Sequence, residues 1–187
     1  RQVADEESAI LASMQGAYPE SHEDPRRNAS VLSIAPTGSI SLFAGVSSGI
    51  EPNFAYVVNR STWSSGEKVM FKQINPLFHE HVGHYYPNQY DAIINWMFEH
   101  GTIQNCPLVN DKTKDLFVTC KDVTPIEHVH VQALIQDYVD QSISKTINCP
   151  NSTTKEEIAN IIEVAWECGC KGLTVYREGS RNDVVLE

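Results

Sequence analysis

No Cys-x-x-Cys pair and no continuous apolar run of about 18 residues occur in this sequence of 187 residues. The cysteines number five, an odd count, so the sequence argues against a disulfide framework and favours a reducing, cytoplasmic setting. The missing apolar run predicts no transmembrane helix and no membrane partner. No signal-peptide pattern is present, and because the first residue is Arg1 we expect an internal piece of a longer chain.

Basic residues are scarce, with 14 Lys and Arg against 24 Asp and Glu and a formal net charge of −10. This balance argues against a general nucleic-acid-binding surface, which requires clustered cations, but it leaves room for a single nucleotide held by local dipoles. The Gly-Lys-Ser/Thr ending of a Walker A loop is also absent. A hydrophobic fraction of 41% suits a globular protein, and residues 1–187 are predicted to form a single domain fragment.

The stretch from residue 28 to residue 41 is the most informative part of the sequence. Residues 31–34 are mostly apolar, which predicts a short buried strand, and Pro36 ends it because proline has no N–H for a ladder. Residues 37–39 then provide hydroxyls, backbone N–H groups and close access to the main chain. A helix beginning near Ile40 would point its positive end at this loop. The pattern is compatible with a phosphate-binding loop formed by Pro36, Thr37, Gly38, Ser39 and Ile40.

A plain turn is the alternative to that phosphate loop. Strand-to-helix connections built from Pro, Thr, Gly and Ser are common, and most of them bind nothing. A short loop containing glycine is weak evidence for a phosphate site when taken alone, so the local pattern leaves both interpretations open. A second loop follows over residues 45–52, with Gly45 and Gly49 as its predicted turn residues.

Helical and extended segments are predicted along the first two thirds of the chain. Residues 3–16 predict a helix closed by Gly16, residues 17–28 predict a loop, and residues 54–60 predict an extended segment. Residues 67–100 predict two helical stretches that are broken by prolines.

The last third predicts a strand–helix–strand unit. Residues 124–141 predict a helix that opens with a capping box, and residues 144–148 predict a strand. A second capping box at residues 153–156 starts an amphipathic helix that Gly169 closes, and residues 171–176 return as a strand. Two strands joined by a helix in this way are expected to be parallel, with ligands meeting the loops at their ends.

Other polar residues are weaker candidates for a site. Residues 79–84 contain three histidines, but His79 and His81 would point in nearly opposite directions on one helix, so solvent-facing histidines are expected rather than a metal site. His128 and His130 have the same spacing, so the same interpretation applies to them. Packing, or a role that the sequence does not decide, is expected for Glu51, Lys145, Asn148, Cys149, Cys168, Cys170, Tyr176 and Arg177.

Six motifs resemble the large catalytic subunit of ribonucleotide reductase. They follow the family's order and spread over nearly the whole chain, so together they are far more specific than any one of them. The motifs are Arg27-Asn-Ala, Ala35–Ser41, Ala44–Pro52, His128–Ala133, Ser144–Pro150 and Lys171–Arg177.

The resemblance is closest to the adenosylcobalamin-dependent class II enzymes. Class I enzymes place two adjacent tyrosines on the last barrel strand, where they pass in a radical from a second subunit. The matching positions here are Thr174 and Val175, neither of which is redox-active, and Tyr176 stands alone one position away. This favours an enzyme that forms its radical in place from a cobalamin. A class I large subunit with an unusual last strand and a non-catalytic nucleotide-binding module remain the alternatives.

The fold that the resemblance implies is a ten-stranded α/β barrel, of which this chain would form an incomplete C-terminal part. The implied reaction removes the ribose 2′-hydroxyl of a ribonucleoside di- or triphosphate by thiyl-radical chemistry. The family's radical cysteine and its catalytic Asn and Glu have no match here, so we expect no catalytic residue in this chain and no activity of the fragment alone. The role that carries over is the binding of the substrate phosphates by residues 36–40.

The resemblance also implies cofactors and partners. The full-length enzyme is expected to bind adenosylcobalamin, to act on a ribonucleotide and to receive electrons from a thioredoxin-like reductant. The fragment would pair with the remainder of the reductase chain, which is expected to be a cytoplasmic monomer or homodimer without nucleic-acid or membrane partners. No metal site is expected.

Overall fold

The computed structural model describes residues 1–22, 25–64 and 67–180, and the chain divides into two compact units. The first unit contains Arg1–Ile50, Pro125–Ile147 and Thr153–Val175, and the second contains Glu51–Thr124, Asn148–Ser152 and the described residues 176–180. That residues 1–187 form a single domain fragment stays a prediction.

Helices predominate among the described residues, and the strands form two pairs. None of the described helices is long and apolar enough to cross a membrane. A 3₁₀ turn occupies Pro87–Gln89. The elements in chain order are α1 (Gln2–Gln15), α2 (Gly38–Ala44), β1 (Val57–Ser64), β2 (Glu67–Ile74), α3 (Pro76–Tyr85), α4 (Tyr90–His100), α5 (Asp111–Leu116), α6 (Pro125–Gln136), β3 (Thr146–Cys149), α7 (Lys155–Glu167) and β4 (Thr174–Arg177).

The first helix, α1, confirms its prediction. It ends one residue before Gly16, whose φ of 86° lies in the left-handed region that favours glycine. The N–H of Gly16 donates to the carbonyl of Ala12 at 2.8 Å and closes the last turn. The predicted loop after it is irregular over the described residues 17–22 and 25–28.

The predicted strand–helix–strand unit is confirmed in its order. β3 and β4 are neighbours in a two-stranded sheet, and α7 lies between them in the sequence. Burial of Ile161 and Ala165 shows which face of α7 packs inward, and Gly169 follows the helix with a φ of 74°. The helix α6 ends at Gln136, earlier than predicted, because the Gln136 Nε2 donates at 2.9 Å to the carbonyls of Val139 and Gln141 and thereby stabilises a turn.

The capping box of α7 lies one residue later than predicted. The Thr154 Oγ1 accepts the N–H of Glu157 at 3.2 Å, and the Glu157 carboxylate accepts the N–H of Thr154 at 2.7 Å. The two residues therefore satisfy two N–H groups that a helix start would otherwise leave without partners.

Replacing Thr154 with alanine is expected to destabilise α7 by about 1 kcal/mol, because the hydroxyl acceptor is lost. Hydrogen exchange at the amides of residues 155–160, compared between this variant and the wild type, measures the change. Thr154→Ser is the matched control, since it retains the hydroxyl and should exchange nearly as slowly as the wild type. Equal exchange in the alanine and serine variants would contradict the capping role.

The strand predicted over residues 31–34 is wrong. These residues have no regular secondary structure, and Val31, Leu32 and Ile34 are only half-buried. The N–H groups of Val31 and Leu32 donate to the carboxylate of Asp140, so a side chain takes the bonds that a neighbouring strand would have made.

The two helical stretches predicted within residues 67–100 are present as α3 and α4, but the start of that range is not helical, because β2 pairs there with β1 in an antiparallel hairpin. The register runs from Val57 opposite Ile74 to Ser64 opposite Glu67. The prolines begin elements rather than break them. Pro76 is the first residue of α3, and the Asn75 Oδ1 caps this helix by accepting the N–H groups of Leu77 and Phe78 at 3.0 and 3.3 Å.

An aromatic cluster lies at the centre of the second unit. Phe78 is fully buried, and its ring centroid lies 5.5 Å from that of Tyr56 and 5.0 Å from that of Phe117. Tyr56 and Phe117 meet edge to face at 5.1 Å. Aliphatic side chains from α3 and α4 and from the segment after α4 extend this core, and they include Val82, Ile93, Met97 and Ile103.

Candidate functional site

The candidate phosphate loop contains the start of α2. The helix begins at Gly38, close to the predicted position, and its first hydrogen bond runs from the N–H of Ser41 to the carbonyl of Thr37 at 2.9 Å. The N–H groups of Gly38, Ser39 and Ile40 precede that bond, so the helix itself does not use them. The loop therefore presents three adjacent hydrogen-bond donors on the main chain.

These three donors lie on an open surface. Gly38 and Ser39 are exposed, and the side chain of Ile40 is 69% exposed. A Cβ atom built on Gly38 would meet nothing within 4 Å, so the described residues leave space beside the main chain. Gly38 also lacks a positive φ, which means that neither packing nor backbone strain requires a glycine here.

The hydroxyl of Thr37 is oriented by the second loop. Its Oγ1 accepts the N–H of Gly49 at 3.0 Å and lies 3.3 Å from the Oγ of Ser48. When Ser48 donates, both lone pairs of the Thr37 oxygen are engaged and its own hydrogen is free for an acceptor. An anion is such an acceptor, so Thr37 and the three N–H groups offer donors to the same kind of ligand.

A buried serine and two glycines also shape this region. The Ser41 Oγ donates to the carbonyl of Gly38 at 2.9 Å and is buried, so it supports α2 rather than facing outward. Gly45 and Gly49 have φ values of 66° and 53°, which confirms both as turn residues. Gly49 approaches the carbonyl of Ala35, since a Cβ atom at Gly49 would lie 3.5 Å from that oxygen.

The chain before Pro36 is held by Asp140. Its Oδ2 accepts the N–H groups of Val31 and Leu32 at 2.7 and 3.3 Å, and its Oδ1 lies 2.6 Å from the Arg1 Nη1. Burial opposes the ionisation of this carboxyl group, but the two backbone N–H groups and the Arg1 guanidinium outweigh it and lower the pKa of Asp140 to about 2. No sequence pattern identified Asp140, because its two amide partners are 109 and 108 residues away.

Lys145 and His128 form a buried pair in the first unit. Lys145 is 2% exposed and His128 is 1% exposed, and the Lys145 Nζ lies 2.8 Å from the His128 Nδ1. The expectation of a solvent-facing His128 is therefore wrong, whereas His130 is exposed.

The histidines of residues 79–84 lie in the second unit. His79 and His84 are exposed, whereas His81 is half-buried, and its Nε2 lies 3.0 Å from the Thr113 Oγ1. Burial lowers the pKa of His81, and the neighbouring His84 adds to the shift. Among the residues that the structure describes, no three metal-ligating side chains come together.

The remaining candidates differ in burial. Cys149 is buried, which fits the expected packing role, whereas Cys168 is exposed and does not pack as expected. Cys170 is half-buried, and burial together with the nearby Cys168 raises the pKa of its thiol. Four other candidates are also half-buried, namely Glu51, Asn148, Tyr176 and Arg177.

Comparisons with known proteins match almost the whole chain. The family model described as "Ribonucleotide reductase, barrel domain" matches residues 9–176. A vitamin B12-dependent ribonucleoside-diphosphate reductase of Mycobacterium tuberculosis is 35% identical over 192 residues, covering 100% of this chain and 27% of the relative. The protein of the same name from Thermoplasma acidophilum is 36% identical over 188 residues, covering 99% of this chain and 23% of the relative. The chain thus spans about a quarter of the length of these relatives.

A solved structure shares the fold. The class Id ribonucleotide reductase alpha subunit of Actinobacillus ureae matches with a TM-score of 0.71 at 23% sequence identity, covering 93% of this chain and 31% of that chain. At this identity the likeness concerns the fold alone.

Proposed function

Since this chain belongs to the ribonucleotide reductase barrel-domain family, as its six motifs predicted, we propose that residues 36–40 bind the substrate phosphates of a ribonucleotide reductase. The predicted α/β fold, an incomplete part of the reductase barrel, is confirmed with the family. The observation that supports the loop proposal is the set of N–H groups on Gly38, Ser39 and Ile40, which the hydrogen bonds of α2 do not use and which lie beside open space among the described residues. Such donors suit the oxygens of a phosphate, and no lysine is needed.

The loop would bind and orient the substrate. Pro36 restricts the backbone ahead of the donors, because its ring fixes φ. Thr37 adds a hydroxyl hydrogen that is available to the phosphate, because its Oγ1 accepts the N–H of Gly49 from the second loop. Charge-assisted hydrogen bonds of this kind contribute about 1.5–3 kcal/mol each. Held by its phosphates, the nucleotide would place its ribose at chemical groups outside this chain, since none of the reaction's radical residues is matched here.

The reductase is proposed to act on a ribonucleoside diphosphate with adenosylcobalamin as cofactor. The support is that the curated relatives carry the names vitamin B12-dependent ribonucleoside-diphosphate reductase. When bound, this cofactor supplies the radical that starts the reaction. The donor set at α2 suits a phosphate and not a corrin ring, so no contact with the cofactor is assigned to the described residues.

The proposed surroundings follow from the same membership. The ribose 2′-hydroxyl would leave as water while a dithiol is oxidised, and a thioredoxin-like reductant would restore that dithiol. The chain would work as part of the longer reductase, in the cytoplasm, as a monomer or a homodimer. Alone it is proposed to be inactive, because the radical residues are supplied by the remainder of the reductase.

Deoxyribonucleotide formation by the full-length protein tests this proposal. With adenosylcobalamin, a dithiol reductant and a ribonucleoside diphosphate, we expect product without any second subunit. Hydroxocobalamin is the matched control, since it lacks the adenosyl group and should give none. A parallel reaction with a ribonucleoside triphosphate measures the substrate preference.

Two outcomes would contradict the proposal. Product that appears only after a radical-generating second subunit is added would indicate a class I enzyme. A full-length protein that binds nucleotides in calorimetry but forms no product under either condition would indicate a non-catalytic nucleotide-binding module.

A further inference from the structure

One short segment, residues 140–144, holds the chain that enters the phosphate loop. The contacts extend from Ser30 to Ile34 and include both side chains and backbone groups. They are the Gln141 Nε2 to the Ser30 Oγ at 2.8 Å, the N–H groups of Val31 and Leu32 to the Asp140 Oδ2 at 2.7 and 3.3 Å, and the N–H of Ser144 to the carbonyl of Ile34 at 3.0 Å.

Asp140 is the central group of this contact set. Val31 and Leu32 are half-buried and belong to no strand, so their N–H groups need an acceptor from elsewhere in the chain. A carboxylate accepts backbone N–H groups more strongly than a neutral oxygen does. Its other oxygen is occupied by Arg1, which also pairs with Asp5 at 2.7 Å. The carboxylate is therefore fixed in place from both sides.

The segment that carries Asp140 is itself anchored. The Lys171 Nζ donates to the carbonyl of Asp140 at 2.6 Å, and the N–H of Lys171 donates to the Gln136 Oε1 at 3.3 Å. Gln136 is buried and also holds the carbonyl of Gln141 at 2.9 Å. Asp140 thus connects the chain ahead of the loop with α6 and with the chain before β4.

We propose that Asp140 is a positioning residue for substrate binding, because it fixes the chain that leads into the donor groups of residues 37–40. Only three residues separate Leu32 from Pro36, and the Gly49 N–H holds Thr37 on the other side. A loop fixed at both ends loses less entropy when a ligand binds to it. This inference rests on the proposed role of the loop in phosphate binding.

Substitutions of Asp140 in the full-length reductase test the inference. Asp140→Ala removes the acceptor and is expected to raise the KM for the ribonucleotide about tenfold while kcat stays within about twofold. Asp140→Asn keeps one neutral oxygen for the two N–H groups, so its rise should be smaller. Hydrogen exchange of the amides at residues 30–41 should be faster in both variants, and fastest in the alanine variant.

Two control variants separate positioning from general destabilisation. Thr154→Ala weakens α7 without touching the loop or residues 140–144, and its KM should equal that of the wild type. Arg1→Gln removes the ion pair but leaves the Oδ2 acceptor, so its KM should rise less than that of Asp140→Ala. If Asp140→Ala fails to fold, Asp140→Asn and Gln141→Ala carry the test with the same expected direction.

The outcomes distinguish this inference from the loop assignment. A raised KM in the Asp140 variants with faster exchange at residues 30–41 supports it. An unchanged KM, or a KM that rises equally in Thr154→Ala, overturns it. If Gly38→Val raises the KM while Asp140→Ala does not, the loop assignment stands and only the positioning role fails. If both variants leave the KM unchanged, the loop assignment fails as well.

Discussion

Replacing Gly38 with valine is expected to raise the KM for the ribonucleotide by at least about tenfold in the full-length reductase, with little change in kcat. The valine side chain would fill the open space beside the free N–H groups, so the phosphate could no longer approach them. Each charge-assisted hydrogen bond contributes about 1.5–3 kcal/mol, and about 1.4 kcal/mol corresponds to a tenfold change in affinity. Initial rates over a range of substrate concentrations measure both constants.

The control for this variant is Gly83→Val. Gly83 lies within α3, where a Cβ atom would meet nothing within 4 Å, and it has no positive φ. Both substitutions therefore change the stability of their helices by a similar amount, under about 1 kcal/mol. Gly83→Val should leave the KM unchanged. An unaltered dependence of rate on substrate concentration in Gly38→Val would refute the loop assignment.

The second large effect concerns the aromatic cluster of the second unit. Phe78→Ala is expected to lower the free energy of unfolding of this unit by about 3–5 kcal/mol. The substitution removes the contacts of a fully buried ring and leaves a cavity in its place. The contacts of Phe78 with Tyr56 and Phe117 would be lost together. Amide hydrogen exchange at α3 and α4 in the full-length protein should become at least about a hundredfold faster.

Leu77→Ala is the matched control, since Leu77 is the preceding residue of α3 and is 70% exposed. Its truncation leaves no cavity, so exchange should change by less than about threefold, which corresponds to under about 0.7 kcal/mol. Similar acceleration in the two variants would show that the cluster does not stabilise α3 and α4 specifically.

Local signals in the sequence predicted the elements that depend on local chemistry. A glycine with a left-handed φ closes α1, and another follows the end of α7. At the start of α7, a Thr and a Glu three residues apart form the capping box. The errors occur where distant partners decide. The sequence of β2 predicts a helix, but pairing with β1 makes it a strand. The sequence of residues 31–34 predicts a strand, but two of their N–H groups donate to a distant carboxylate instead.

The candidate site could be located from the sequence, but its supports could not. The loop of Pro36, Thr37, Gly38, Ser39 and Ile40 follows from residue types that leave the main chain accessible, and its role in phosphate binding stays a prediction. Thr37 receives the N–H of Gly49 and Asp140 receives those of Val31 and Leu32, and both contacts form only when the chain folds. Residues so far apart share no spacing rule from which such contacts could be read.

Three donors of the proposed phosphate loop belong to the main chain, so we expect the loop to tolerate many substitutions. Every residue except proline has a backbone N–H, so substitutions at positions 39 and 40 other than to proline retain the donor. Substitutions should be tolerated less at Gly38, where a larger side chain would fill the open space, and at the distant residues that hold the backbone in position. Such a site would select its ligand by the shape of the backbone rather than by the identity of its side chains.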